Sequence, residues 1–168
     1  MTRQQQESEF LSSLSEQLRH AREKAGWTEA ELACRAGVDV ETVKRLECGV
    51  GGRVLSYRSV AAAYGLSLRG LLTGAAPADV PAEAEEGKAF LRRVGSRVRH
   101  QRRTERTWTV AYLAGQAGVS ADTVSLLERG LGDARMLTYR RLAAALDYPL
   151  SDLLAEGQPS NEGSIHWT

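Results

Sequence analysis

The stretch Gly26-Trp27-Thr28-Glu29-Ala30-Glu31-Leu32-Ala33-Cys34-Arg35-Ala36-Gly37-Val38-Asp39-Val40-Glu41-Thr42-Val43-Lys44-Arg45-Leu46-Glu47 decides the fold, because the chain states it twice. It returns as Thr107-Trp108-Thr109-Val110-Ala111-Tyr112-Leu113-Ala114-Gly115-Gln116-Ala117-Gly118-Val119-Ser120-Ala121-Asp122-Thr123-Val124-Ser125-Leu126-Leu127-Glu128. The shared skeleton is W-T-x-x-x-L-A-x-x-A-G-V-x-x-x-T-V-x-x-L-E, followed one residue later by Gly49 or Gly130. Two copies with a spacer point to two small domains rather than to a solenoid.

The local chemistry of each copy is that of two short helices joined by a tight turn. Thr28 is placed to cap the first, and Glu31 completes a Thr-x-x-Glu capping box. Trp27 and Leu32 stand at staple positions, and Ala33 and Ala36 keep the inner face thin. Gly37 suits the left-handed residue that ends the helix. Asp39 caps the next one, with Val38 and Val43 as a second staple. Outward from this centre, Phe10, Leu11, Leu14, Leu18 and Ala21 recur at helical spacing and predict a first helix ending near Gly26. Met1 to Glu7 are polar and are expected to fray. Ser56 is the expected cap of a fourth helix over Tyr57 to Tyr64, and Leu66, Leu68, Leu71 and Leu72 give a short fifth. The second copy repeats the plan from Phe90 through Val94, Val98, Trp108, Leu113, Val124 and Leu127, then Tyr139 to Leu146 and Leu150 to Leu154. One residue is inserted before Trp108 and another before Tyr139, as expected of surface connections.

The fold expected is therefore all-α, with two tandem five-helix helix-turn-helix domains. The boundaries are residues 8–74 and 90–157, a short acidic linker over 75–89 and a flexible tail over 158–168. Ile165 and Trp167 are the tail residues able to dock elsewhere. The linker carries Pro77 and Pro81, and Asp79, Glu83, Glu85 and Glu86 against Lys88 alone. Net charge is +1 over 168 residues, yet residues 10–74 hold nine Arg or Lys against seven Asp or Glu, and residues 90–157 eleven against seven. Both copies are thus mildly basic, and Arg, with its planar fork, dominates over Lys. Cys34 and Cys48 lack metal-type spacing and read as reduced thiols. No apolar run is long enough to span a membrane, and the N-terminus has no signal-peptide pattern. No His/carboxylate metal spacing, phosphate-binding Gly loop or nucleophile elbow appears, so neither an enzyme nor a cofactor or metal site is expected.

These motifs resemble the Cro/repressor-type (XRE) helix-turn-helix family, and the resemblance covers both copies and most of the chain. It implies lambda-repressor-like five-helix bundles and a bacterial or phage transcription regulator, cytoplasmic and nucleoid-associated, whose third helix enters the major groove of double-stranded DNA. By the same resemblance, Arg22–Glu47 and Arg102–Glu128 are structural ion pairs, with Arg103 an alternative to Arg102 because of the insertion. The reading face of the first copy comprises Val40, Glu41, Thr42, Lys44 and Arg45. There Arg45 can fork onto guanine, Glu41 can accept from cytosine and Val40 can touch a thymine methyl. Thr28, Lys44 and Arg53 are placed for phosphates. In the second copy the matching positions are Ala121, Asp122, Thr123, Ser125 and Leu126, with Thr109, Arg129 and Arg135 beside them. Leu126 stands where the first copy has Arg45 and is a candidate protein contact. Glu29 and Val110 replace the Gln that the family often places at the start of helix two, where it meets a phosphate.

The second copy has the more basic flank: Arg92, Arg93, Arg97, Arg99, Arg102, Arg103 and Arg106, then Arg129, Arg135, Arg140 and Arg141. The first copy is expected to read sequence and the second to grip the backbone or hold a partner, unless its arginine run is simply a solvated face. Trp27 and Trp108 suit packing better than base stacking, His20 and His100 read as surface side chains, and Tyr57 and Tyr139 suit packing and phosphate contact equally. Beyond DNA, the partners left open are a second copy of the chain and another regulator or the transcription machinery. The second of these goes with a protein-interaction module on the same fold.

Overall fold

Helix formation follows the capping chemistry of the sequence. The computed structural model describes residues 1–74 and 85–156, and its regular elements are helices throughout. They are α1 (Arg3–Ala25), α2 (Glu29–Ala36), α3 (Val40–Glu47), α4 (Val54–Ala63), α5 (Leu68–Thr73), α6 (Gly87–His100), α7 (Val110–Ala117), α8 (Ala121–Glu128), α9 (Met136–Leu146) and α10 (Leu150–Leu153). A π-helical turn, Gln101–Glu105, continues α6. Most of the expected linker, and the tail with Ile165 and Trp167, lie outside the described residues.

The local signals work as the residues suggest. Thr28 accepts from the Glu31 amide at 3.1 Å while the Glu31 carboxylate accepts from the Thr28 amide at 2.7 Å. Thr109 accepts from the Tyr112 amide at 3.1 Å, but Tyr112 has no carboxylate to return the bond. Gly37 and Gly118 end α2 and α7 at φ of 67° and 68°, a conformation glycine adopts without a Cβ penalty.

The inserted residue before Trp108 is taken up by the π turn, where the Arg106 amide reaches back to the Gln101 carbonyl at 3.1 Å. Absorbing one residue in a single widened turn leaves the helix axis running on. The turn therefore brings Arg102 to Glu128 as α1 brings Arg22 to Glu47.

Two helix starts differ from expectation. α1 begins at Arg3, not near Phe10, with Thr2 and Gln5 forming a capping box. Its first turns do not fray, because Glu7 is only 8% exposed and accepts from Arg141 at 2.7 and 2.8 Å. Arg3 also donates to the Ala117 carbonyl at the end of α7. The stabilising partners lie far along the chain, so a local reading of polar residues misses them. α4 likewise begins at Val54, and Ser56 is not its cap. The first amides of α4 are satisfied from the other half: Val54 donates to the Ala134 carbonyl at 3.0 Å and Leu55 to the Asp133 carboxylate at 3.1 Å. These are the orphan donors that every helix start must satisfy.

That exchange is reciprocal. The Met136 amide, at the start of α9, donates to the Gly52 carbonyl at 2.9 Å, and Arg53 and Arg135 form an antiparallel bridge between them. Arg58 on α4 lies 4.9 Å over the Phe90 ring of α6, and its counterpart Arg140 on α9 lies 4.9 Å over the Phe10 ring of α1. A contact i–j matched by its counterpart contact is the mark of an isologous, two-fold interface. Here both sides belong to one chain. α5 packs on α10 across the same axis, and Arg58 reaches Glu156 at 2.7 Å. The buried apolar side chains of both halves form one continuous cluster.

Candidate nucleic-acid interface

Each helix-turn-helix is held at its back by a buried ion pair. Arg22 donates to Glu47 at 2.8 and 3.0 Å and to the Trp27 carbonyl at 3.0 Å. Arg102 repeats this on Glu128, with its third bond to the Trp108 carbonyl at 2.7 Å. The π turn thus settles the choice in favour of Arg102, and Arg103 is exposed. Pairing favours the charged guanidinium in Arg22 and Arg102. Removing one partner would strand a buried charge, so these pairs set helix angles and face no ligand.

The opposite face is open. On α3, Val40, Glu41, Lys44 and Arg45 are exposed and Thr42 is half-buried. Asp39 holds the start of α3 by accepting from the Thr42 amide at 2.6 Å, and that bond lowers its carboxyl pKa. On α8, Ala121, Asp122, Ser125 and Leu126 are exposed and Thr123 is half-buried, with Ser120 accepting from the Thr123 amide at 3.1 Å. Thr42, Arg45, Arg53, Thr123 and Arg135 come together along one groove of about 610 Å³ between the halves. Thr28, Val40, Glu41, Lys44, Thr109, Asp122, Ser125 and Arg129 are not part of that groove's wall. Leu126 lines a smaller recess of about 180 Å³ that shares Arg53 and Thr123 with it.

Ser56, expected from sequence only as a helix cap, also lines the groove, with Thr138 and Asp133, which the sequence does not mark. Ser56 and Thr138 occupy the same place in the two copies, so the repeat itself held the signal. Asp133 is held in a desolvated site that raises its pKa, while the Leu55 amide and the nearby Arg53 pull the other way.

Much of the basic flank of the second copy is engaged internally. Arg97 donates to the carbonyls of Asp152, Leu153 and Ala155 at 3.3, 3.1 and 2.6 Å, closing the end of α10. Arg106 bonds the Leu146 carbonyl at 2.8 Å, Arg93 pairs with Glu85, Arg140 covers Phe10 and Arg141 holds Glu7. Arg92, Arg99, Arg103, Arg129 and Arg135 remain exposed.

Tyr57 and Tyr139 are fully buried and pack in the core, and burial pushes the Tyr57 hydroxyl up to about 12. Trp27 stacks on Tyr64 at 5.5 Å beneath Arg35, and Trp108 meets Tyr112 edge-on at 4.9 Å. Both tryptophans are packing residues. Cys34 and Cys48 are free thiols, His20 and His100 are exposed, and no side-chain cluster among the described residues could hold a metal. No helix among them is long and apolar enough to cross a membrane.

Residues 100–153, from the end of α6 through α10, match the helix-turn-helix family model, a family of DNA-binding regulators rather than of enzymes. No curated protein and no solved structure matches the chain. The match falls on the half with fewer long donors, α7 and α8, whereas α2 and α3 repeat its N-caps and its ion pair with more polar exposed side chains on α3.

Proposed function

We propose that the chain is a cytoplasmic, sequence-specific regulator that binds double-stranded DNA through the major groove. In this reading residues 8–74 and 90–157 are two helix-turn-helix units of one plan. The observation that carries it is the open groove in which Arg45, Arg53 and Arg135 converge with Thr42 and Thr123, the counterpart residues of α3 and α8. Cations that lie on an exposed face, with the internal pairs kept at the back, suit phosphate and base contacts. Arg45 and Glu41 are the base-reading candidates, and Arg53 and Arg135 flank the axis where phosphates would pass. Arg129 and Lys44 are exposed and offer further cations for phosphate.

The rival reading, a module that docks another regulator or the transcription machinery, is favoured by Leu126 and Leu131, 47% and 48% exposed on the second half. Selection from a random duplex library at low and physiological salt separates the two. The expected result is a defined, salt-sensitive motif. Arg45→Ala should then weaken binding by about 1–3 kcal/mol and relax one base position. Absence of enrichment at low salt would reject the DNA reading in favour of a protein partner at Leu126.

A further inference from the structure

From the internal two-fold and the unlike faces of α3 and α8, we infer that one chain occupies one operator, and that this operator is not a palindrome. At the Arg45 position one half-site is read by a polar contact, and at the matching Leu126 position the other is read through a thymine methyl. The inference rests on the DNA-binding reading above.

Operator palindromy mirrors protein symmetry. In this chain the symmetric surface that would ordinarily join two copies is already used inside one. The amide exchange at Val54 and Met136, and the paired Arg58–Phe90 and Arg140–Phe10 contacts, cover that surface. A second copy therefore has no equivalent face to add. Symmetry holds at the axis, where Arg53 faces Arg135, and along the groove, where Thr42 answers Thr123 and Ser56 answers Thr138.

It stops at the reading positions. Arg45 becomes Leu126, Lys44 becomes Ser125 and Val40 becomes Ala121. Leu126 is exposed at the same place on α8 that Arg45 takes on α3, and its recess opens beside the groove through Arg53 and Thr123. An arginine fork matches guanine O6 and N7, whereas an apolar side chain in the major groove finds its complement in the thymine C5-methyl group. The two halves of a palindrome would present the same edges to both helices, and one helix would always be mismatched. A composite site with a guanine-bearing half and a thymine-bearing half matches both, and it fixes the direction in which the chain lies on the duplex.

The test uses the full chain. Duplexes enriched by selection are sequenced, and the chain-to-duplex ratio is measured by sedimentation. Deoxyuridine then replaces thymine in each half-site in turn, removing only the methyl. One chain per duplex is expected, with an asymmetric motif and a loss of about fourfold for the methyl that Leu126 contacts, with no such methyl at the base that Arg45 reads in the other half. Leu126→Arg, a change at an exposed position, should move that half-site toward guanine and the motif toward a palindrome. A palindromic motif, two chains per duplex, indifference to the methyl or an unchanged motif in Leu126→Arg would each overturn the inference while leaving the chain a DNA-binding protein. A lack of any enrichment at low salt would instead remove the reading beneath it.

Discussion

The first and second halves of this chain agree in the ion pairs behind α3 and α8 and in the rings covered by Arg58 and Arg140, and disagree in the exposed side chains of α3 and α8. Arg22–Glu47 and Arg102–Glu128 have the same bidentate geometry and the same third bond to a tryptophan carbonyl. Arg58 and Arg140 cover Phe90 and Phe10 at the same distance. By contrast, α3 offers Glu41, Lys44 and Arg45 where α8 offers Asp122, Ser125 and Leu126. The two halves thus differ in their exposed side chains while each depends on the other for helix starts, guanidinium-covered rings and a shared core. The ion pairs leave room for such divergence, since they hold α3 and α8 from behind.

The strongest way to break this comparison is to cut one of these ion pairs. Arg102→Ala leaves Glu128, whose side chain is 6% exposed, without its partner, and Arg22→Ala does the same to Glu47 at 5%. Each should cost about 3–5 kcal/mol in denaturant unfolding, the penalty for stranding a buried charge. Equal costs in the two halves would show that the π turn carries no strain. A loss below about 1 kcal/mol, the scale of a surface pair, would contradict the framework role.

A smaller effect tests where the halves pack differently. Gly95 on α6 takes the place of Ser15 on α1. A Cβ at Gly95 would collide with the Leu127 carbonyl of α8, whereas Ser15 fits its site and donates to the Ser12 carbonyl at 2.8 Å. Gly95→Ala should therefore destabilise by about 1–3 kcal/mol as α6 and α8 are forced apart. Ser15→Ala removes one net hydrogen bond, about 1 kcal/mol or less. The same unfolding measurement compares them, and a neutral Gly95→Ala would mean that the two helix pairs are equally close.

What could be read from the sequence was local. Thr28, Asp39, Thr109 and Ser120 act on amides three residues away, and the helix-turn-helix is made by such bonds. The buried pairs were legible through the family resemblance, although only the π turn decides between Arg102 and Arg103. The rest was hidden because its partners are distant or belong to the backbone. Nothing in Val54 announces that Ala134 will accept its amide, so Ser56 looked like the cap. The arginine run of the second half showed its charge but not its acceptors, which are the carbonyls ending α9 and α10 for Arg106 and Arg97. The groove at the axis could be expected only from the two-fold packing, and that is a property of both copies together.

A further effect concerns a clasp that the second half does not repeat, that of Glu7 with Arg141. α6 begins at Gly87, the equivalent of Glu7, so the second half has no carboxylate at the matching place. On α1 the Arg141 bond, helped by Arg3 and opposed by desolvation, holds the Glu7 carboxyl below its ordinary value of 4.5. A carboxyl whose pKa is lower folded than unfolded adds stability that is complete above the unfolded value and disappears as pH falls through the folded one. Glu7→Gln should cost about 1 kcal/mol at neutral pH, since an amide keeps one acceptor for Arg141 and loses the charge. The difference between the natural chain and Glu7→Gln should shrink as the pH is lowered below 4.5, because the natural side chain then becomes neutral too. Asp133, raised by desolvation, titrates in the opposite sense and is present in both proteins, so the paired comparison removes it. Amide exchange in the first turns of α1 should follow the same curve, faster in Glu7→Gln at neutral pH and converging in acid. A difference that stayed constant with pH would mean that Glu7 acts by its shape, and that α1 crosses to the other half without the charge.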